Sequence, residues 1–213
     1  MPNWTENKIT ISGDTHTIDT IIEKITLEDK VALTELMPVP KEIQATHSGT
    51  FIYTYVDENG EAFDLKREDE TIGQLDSDEL AKVIKENKLT KVYLEPIKEE
   101  DIERFSLNEE DYIVDTDRSD RYIMEYGANN WYNWQILQWG TKWGDCETVI
   151  EDVKLHADKK GKTITLFFLS PWSSPHNLLD YISWKYKVKI NSQFIHEFED
   201  EVYEDSFPKD EEQ

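Results

Sequence analysis

The residue periodicity at the start of the chain sets the first limit on its fold. Residues 8–12 alternate polar and apolar side chains, which is typical of a half-buried strand. A helical pattern follows, because the isoleucines fall at the i, i+3, i+4, i+7 spacing: Ile18, Ile21, Ile22 and Ile25. Asp14 or Thr15 supplies an N-cap for that helix. The chain is therefore predicted to open with a strand and a helix.

The last third of the chain shows a second, longer pattern. Residues 148–155 and 162–169 resemble two strands joined by a turn at residues 158–161. Ser174 and Pro175 are suited to cap and start a second helix, and residues 188–198 alternate as a final strand. Without residues 36–147 the order is β-α-β-β-α-β, which is the ferredoxin-like split βαβ arrangement. We predict an α+β fold with a large acidic insertion between the first helix and the second strand.

These patterns divide the chain into three parts. Residues 1–35 together with 148–199 are predicted to form the ferredoxin-like domain. Residues 36–147 are predicted to form an inserted acidic hairpin and helix subdomain, because Asn59-Gly60 follows a strand-like run and a helical pattern begins at Ser77. Residues 200–213 are expected to be a flexible acidic tail.

The negative charge is concentrated in three segments of the chain. The net charge of −23 comes from 46 acidic and 23 basic residues. Residues 57–79, 95–125 and 197–213 carry a net −8 each, which leaves a net +1 for all other residues. A nearly neutral framework is therefore expected to carry three acidic patches, which either keep the protein in solution or present carboxylates to a basic partner.

This charge distribution excludes several classes of protein. Direct nucleic-acid binding is not expected, because it depends on neutralising phosphates with Lys and Arg. Anionic membrane surfaces would repel the chain, and no run of about 18 apolar residues suggests a membrane helix. With no signal-peptide pattern and with Cys146 as the single cysteine, we expect a cytoplasmic protein without disulfides.

Three short tracts give the sequence a specific resemblance. They are Met1-Pro2-Asn3-Trp4 with Asn7 and Gly13, residues 133–143 ending in Trp-Gly-Thr-Lys-Trp, and residues 169–175 reading Leu-Ser-Pro-Trp-Ser-Ser-Pro. With these tracts the chain resembles the YubB-like proteins of phages and plasmids, over about residues 1–40 and 128–199. Thr5 departs from the cysteine found in many of those relatives. The resemblance implies a ferredoxin-like domain and a mobile element in a bacterial host, and it implies no reaction.

No motif in the chain identifies an enzyme. The histidines are scattered and no Cys or His pair has zinc-ligand spacing, so no metal site is predicted. Glycine-rich phosphate loops are missing, so no cofactor is expected. Cys146 lacks a motif that pairs it with a base, and no catalytic residue is assigned.

We therefore expect a non-enzymatic accessory protein of a phage or mobile element. Its acidic surfaces are predicted to bind a basic host protein that itself binds nucleic acid, such as a defence nuclease, in the manner of a DNA mimic. The predicted contacts are Asp64, Glu68, Asp69, Glu70, Glu99, Glu100, Asp101, Glu103, Glu109, Glu110, Asp111, Glu199, Asp200, Glu201, Glu204 and Asp205. The oligomeric state and the identity of the partner stay open.

The alternative is a small-ligand or nucleotide-binding protein, or an enzyme, with a tryptophan-lined pocket. Its lining would comprise Trp4, Trp139, Lys142, Trp143 and Trp172. Indoles offer stacking surfaces and Lys142 offers a charge for an anion. The competing interpretation is that the indoles fill the core and that Lys142 makes a structural ion pair or cation–π contact.

Overall fold

The structure is a computed structural model that describes residues 3–46, 51–63, 77–94 and 113–208. The chain divides into two compact units, one formed by Met1–Val39 with Trp134–Gln213 and the other by Pro40–Asn133. The predicted insertion, residues 36–147, extends beyond the second unit at both of its ends. Residues 134–147 cluster with the first unit because Trp139 and the loop after it contact that unit's other loops, for example through the hydrogen bond from Trp139 Nε1 to the Met37 carbonyl.

The first unit is a sheet covered by helices on one face. Its elements are β1 (Trp4–Asp14), α1 (Thr15–Ile25), a 3₁₀ turn (Leu33–Leu36), α5 (Trp131–Trp139, which begins in the other unit), β5 (Cys146–Leu155), β6 (Gly161–Pro171), α6 (His176–Tyr186), β7 (Lys189–His196) and β8 (Tyr203–Phe207). The five strands lie in the order β5-β6-β1-β7-β8, and every neighbouring pair is antiparallel. In the centre of the sheet, Ile9 of β1 pairs with Leu166 and Ser192.

The alternation within each strand separates a buried face from an open face. On the face that α1 and α6 cover, the sheet residues are fully buried: Ile9, Ile11, Ile164, Leu166, Phe168 and Ile190. Each helix adds three fully buried side chains to the same core: Ile18, Ile21 and Ile25 from α1, and Leu178, Leu179 and Ile182 from α6. Burial of this kind contributes roughly 1.5–3 kcal/mol per large apolar side chain. The other face presents the intervening residues of each strand.

The ends of the helices agree only in part with the prediction. Asp14 caps α1 as expected, since its Oδ1 accepts the Thr17 amide at 3.0 Å. Asn130 caps α5, since its Oδ1 accepts the Asn133 amide at 2.9 Å. The predicted second helix is present as α6, but its predicted start is wrong, because the helix begins at His176 with Pro175 as its N-cap, and Ser174 makes no capping bond.

The prediction of a flexible tail from residue 200 is wrong for Tyr203–Phe207. These residues form β8 and pair with β7, with Ile190 opposite Phe207. The physical reason is an alternation hidden among the acidic residues. Tyr203, Asp205 and Phe207 turn toward the helices, and Phe207 is fully buried there. The sheet therefore has one strand more than the predicted order.

The second unit has a smaller antiparallel sheet of its own. Its elements are α2 (Lys41–Gln44), β2 (Phe51–Val56), α3 (Ser77–Glu86), β3 (Thr90–Tyr93), β4 (Ile113–Asp115) and α4 (Thr116–Tyr126). The strand order is β3-β2-β4. Tyr53, Tyr55 and Leu89 form its larger buried cluster, which α3 covers with Leu80, Val83 and Ile84. The predicted turn at Asn59-Gly60 is present, because Val56 bridges to Ala62 across it.

In the described ranges, no helix is long and apolar enough to cross a membrane.

Candidate functional site

A groove lies on the open face of the larger sheet, at the end where β1 starts and β7 stops. Its floor is a row of three paired residues on neighbouring strands, because Glu6 lies opposite Leu169 on one side and Ile195 on the other. The groove has a volume of about 480 Å³. The described residues that line it are Trp4, Glu6, Leu169, Ile195, His196, Glu197, Phe198 and Glu199.

Backbone and side-chain hydrogen bonds fix the two edges of this groove to each other. The Trp4 amide donates to Glu197 Oε2 at 2.7 Å, and the Glu197 amide donates to the Trp4 carbonyl at 2.8 Å. A hydrogen bond to β1 positions the His196 ring, since its Nδ1 lies 3.0 Å from Thr5 Oγ1. The turn after β7 is therefore joined to the start of β1 although the two are far apart in sequence.

Phe198 occupies the turn in an unusual backbone conformation. Its φ is +70°, which bulky side chains rarely adopt, and its side chain is 90% exposed. The alternation of residues 188–198 placed Phe198 in the last strand, on the same face as Phe194. That placement is wrong, because β7 ends at His196 and the Glu199 amide closes a turn onto the His196 carbonyl at 3.0 Å.

A second groove, of about 520 Å³, lies further along the open face. Its lining is polar: Lys8, Thr10, Asn191, Ser192, Gln193, Glu204, Asp205 and Ser206. Gln193 Nε2 donates to Glu204 Oε1 at 2.7 Å, and the Lys8 ammonium pairs with Glu151 at 2.7 Å. Its charged side chains are thus already engaged with neighbours in the protein.

Three of the C-terminal residues predicted to contact a partner line these grooves, Glu199 in the first and Glu204 and Asp205 in the second. Glu199, Asp200, Glu201 and Glu204 are exposed, and the Tyr203 hydroxyl donates to the Glu199 carboxylate, which raises the pKa of that phenol above its ordinary value. Asp205 differs from the others because it is half-buried and its Oδ2 lies 3.1 Å from His176 Nε2. Asp205 therefore has a structural ion-pair partner when His176 is protonated.

The other predicted contacts lie outside the described residues. They are Asp64, Glu68, Asp69, Glu70, Glu99, Glu100, Asp101, Glu103, Glu109, Glu110 and Asp111.

The residues of the predicted tryptophan pocket have different environments. Trp139 is 4% exposed and packs edge-on against Trp134, so a ligand in solvent has little access to its ring. Trp143 and Trp172 are 41% and 49% exposed, and each has a positive φ. Trp4 lines the groove described above.

The loops that carry Trp143 and Trp172 are nevertheless joined by a hydrogen bond from a side chain to the backbone, and the Trp172 loop is also joined to the start of the chain. The Trp172 amide donates to the Asn3 carbonyl at 2.7 Å, and Thr141 Oγ1 donates to the Pro171 carbonyl. Lys142 makes the cation–π contact that the structural interpretation predicts, with its ammonium 4.2 Å from the centre of the Trp143 ring. Gly144 is required beside it, because a Cβ at this position would lie 2.3 Å from Thr34 Cγ2.

The environment of Cys146 disfavours nucleophilic chemistry. Burial raises the pKa of the thiol, and the carboxylates of Asp145 and Glu147 raise it further. A raised pKa leaves less thiolate at neutral pH. In the described part of the chain, no group of three or more His, Cys, Asp or Glu side chains is placed to hold a metal ion.

The fold and groove define an α+β protein with antiparallel sheets and an open, partly acidic sheet face. Within this chain, residues 138–204 match the sequence model of a family described as "Ferredoxin-like domain in Api92-like protein". The matched stretch contains β5, β6, α6 and β7, in agreement with the ferredoxin-like domain predicted for this part of the chain. No curated protein and no solved structure matches the chain.

Several residues of the groove were not predicted as site residues. No local sequence motif marks four of them, which are Glu6, Leu169, Ile195 and Glu197. The signal that indicates them is the strand alternation, since the buried positions of β1, β6 and β7 leave these side chains on the opposite face. Their proximity also depends on strand pairing, which one sequence does not specify.

Proposed function

We propose that this chain is a non-enzymatic accessory protein of a phage or mobile element that binds a basic, nucleic-acid-binding protein. Its acidic surfaces would occupy the phosphate-binding cleft of that partner and compete there with nucleic acid, as a DNA mimic does. We also propose that the first unit is a split βαβ frame to which β8 is added, with the second unit inserted after α1. The order and pairing of the strands support this arrangement.

One observation carries the functional proposal. Residues 196–205 contain six carboxylates and no Lys or Arg, and they run along the end of the sheet into its last strand. Glu197, Glu199, Asp200 and Glu201 are all exposed there. An anionic surface of this kind attracts a basic partner over a distance of about a Debye length, roughly 8–10 Å in physiological salt.

The test is binding to a panel of purified basic proteins of similar pI, some of which bind nucleic acid and some of which do not. A supporting result is salt-sensitive binding to nucleic-acid-binding members, with bound protein displaced by duplex DNA. Affinity that is unchanged between low and high salt, or direct binding of the chain to DNA, would overturn the proposal.

Two charge variants localise the effect. In the first, Glu197→Gln, Glu199→Gln, Asp200→Asn and Glu201→Gln neutralise the acidic segment. In the second, Glu23→Gln, Glu28→Gln, Asp29→Asn and Glu35→Gln make the same change in net charge at exposed positions in α1 and the segment after it. The proposal requires the first variant to bind more weakly than the second; equal losses would contradict a localised surface.

A small-ligand or nucleotide site is the second candidate, and the partial exposure of the Trp143 and Trp172 rings favours it. A partly exposed indole with an ammonium 4.2 Å from its ring centre can stack on a base while the cation meets a phosphate. Saturable quenching of tryptophan fluorescence by a nucleotide, lost in Lys142→Met, would support it. The matched control is Lys187→Met, which removes an ammonium 5.2 Å from the Trp184 ring; no saturable quench, or equal loss in the control, would overturn it.

A further inference from the structure

The groove at the start of β1 combines apolar walls with a carboxylate rim. Trp4, Leu169 and Ile195 supply the apolar surface, and Glu6, Glu197 and Glu199 supply the charges. None of the described residues that line it is Lys or Arg. A surface with this composition is complementary to a positively charged group that also has an apolar face.

The carboxylate of Glu6 is available for such a group. Glu6 is exposed in the centre of the floor, and no hydrogen bond or ion pair joins its side chain to another described residue. Glu197 already accepts the Trp4 amide with Oε2, which positions that carboxylate at the edge of the groove. Among the described residues, the floor therefore offers one carboxylate without a hydrogen-bond or ion-pair partner, between two apolar neighbours, Leu169 and Ile195.

Phe198 adds an aromatic ring at the rim of the same groove. Its side chain is 90% exposed, so its apolar surface is not used to stabilise the fold. The Glu197 amide donates to the Trp4 carbonyl, which fixes the turn that carries Phe198 to the start of β1. Phe198 and Trp4 therefore line the same groove. Aromatic faces attract cations because of the ring quadrupole.

We propose that this groove binds an arginine side chain of a basic polypeptide. A guanidinium is flat enough to stack on an aromatic ring, and its fork of donors matches a carboxylate. An anion would be repelled by three carboxylates, and a neutral apolar group would desolvate them without compensation. This assignment rests on the proposed function and deepens it, since it names the side chain by which the acidic surface recognises its partner.

The probe is a short Gly/Ser peptide with several arginines, compared with versions that carry lysine or citrulline in their place. Citrulline keeps the shape of arginine and removes its charge. Titration calorimetry gives the affinity, and amide and indole chemical shifts give the location. We expect the arginine peptide to bind more tightly than the lysine peptide, the citrulline peptide to lose binding, and the Trp4 indole and Ile195 amide to shift.

Three substitutions test the groove itself, and three controls accompany them. Phe198→Asn removes the ring while keeping a residue that tolerates positive φ. Trp4→Leu removes the indole, and Glu6→Gln removes the charge. Each should weaken binding of the arginine peptide about threefold to tenfold, the range expected for one cation–π or charge contact at a partly exposed site.

The controls are matched in residue type and lie elsewhere in the first unit. Trp184→Leu changes an indole that is 65% exposed on α6, Phe167→Leu changes a half-buried ring of β6, and Glu23→Gln changes an exposed acid of α1. We expect them to change the affinity less than about twofold. Thermal unfolding of every variant verifies that it folds.

The outcomes separate this assignment from the proposed function. If neutralising residues 197–201 weakens peptide binding but Phe198→Asn and Glu6→Gln do not, the acidic surface stands and the arginine groove is wrong. If lysine and arginine peptides bind equally and Trp4 does not shift, the groove is also wrong. If the arginine peptide does not bind even in low salt, both proposals fail.

Discussion

Asn7 of β1 donates a hydrogen bond from its side-chain Nδ2 to Ser170 Oγ of β6 at 2.8 Å, and both residues are fully buried. The same amide donates to the Thr5 carbonyl at 2.9 Å, and Ser170 Oγ donates onward to the Ser173 carbonyl at 2.8 Å. The network thus links the start of the sheet to the loop that carries Trp172. Two residues of the tracts that carried the family resemblance, Asn7 and Ser170, therefore have a structural role.

The first prediction concerns this network. Asn7→Leu removes the buried donor and leaves the Thr5 carbonyl without its side-chain partner. Because an unsatisfied buried polar group costs about 1–3 kcal/mol, we expect the free energy of unfolding to fall by that amount. Urea unfolding followed by tryptophan fluorescence measures it. Asn191→Leu, at an exposed position of the neighbouring strand, is the control; equal effects of the two substitutions would contradict the role of the network.

The order of elements in the first unit was predictable because the local residue pattern of each element agrees with the side chains that the fold buries. The isoleucines of α1 repeat at helical spacing and three of them are fully buried, and Asp14 caps the helix through the Thr17 amide. Strand β8 was missed for the opposite reason. Its two aromatic residues, Tyr203 and Phe207, are separated by acidic residues, so the segment resembles an acidic tail more than an alternating strand.

The second prediction tests whether β8 belongs to the core. Phe207 is fully buried where β8 pairs with β7, so Phe207→Ala should leave a cavity and lower the free energy of unfolding by about 3–5 kcal/mol. The control is Val202→Ala, just before the strand at a position that is 51% exposed, and it should change the free energy of unfolding by less than about 0.5 kcal/mol. Chemical denaturation of the full chain measures both. A small effect at Phe207 would mean that β8 does not stabilise the sheet.

The candidate site was less predictable than the fold because it depends on which strands are neighbours. Trp4 and Trp172 were selected for their residue type, and the structure places both at one end of the sheet. Trp139 was selected for the same reason, yet its Nε1 donates to the Met37 carbonyl inside the unit. Residue type alone does not distinguish an indole used for packing from one that faces solvent.

The third prediction concerns the carboxylate that positions the loop after Trp143. Asp145 accepts the Leu33 amide at 2.8 Å and the Thr34 amide at 3.0 Å, so it caps the 3₁₀ turn, and it also accepts Thr148 Oγ1. Asp145→Ala leaves these donors without that acceptor, and we expect a loss of about 1–3 kcal/mol in the free energy of unfolding. Glu28→Ala, an exposed acid, is the control. Equal stability of the two variants would show that the cap is not needed.

The fourth prediction concerns the pH dependence of Cys146. Burial, together with the Asp145 and Glu147 carboxylates, raises the pKa of its thiol in the folded state. At pH 8 the folded protein should therefore be alkylated by iodoacetamide more slowly than the urea-unfolded chain, and its rate should rise at higher pH.

The raised pKa of the Cys146 thiol also has a consequence for the pH dependence of stability. A raised folded pKa gives a contribution that is fully present below the unfolded pKa and is lost as pH rises through the folded pKa. Cys146→Ala should remove this loss from the alkaline limb of the stability curve, and identical limbs or identical alkylation profiles would contradict the raised pKa.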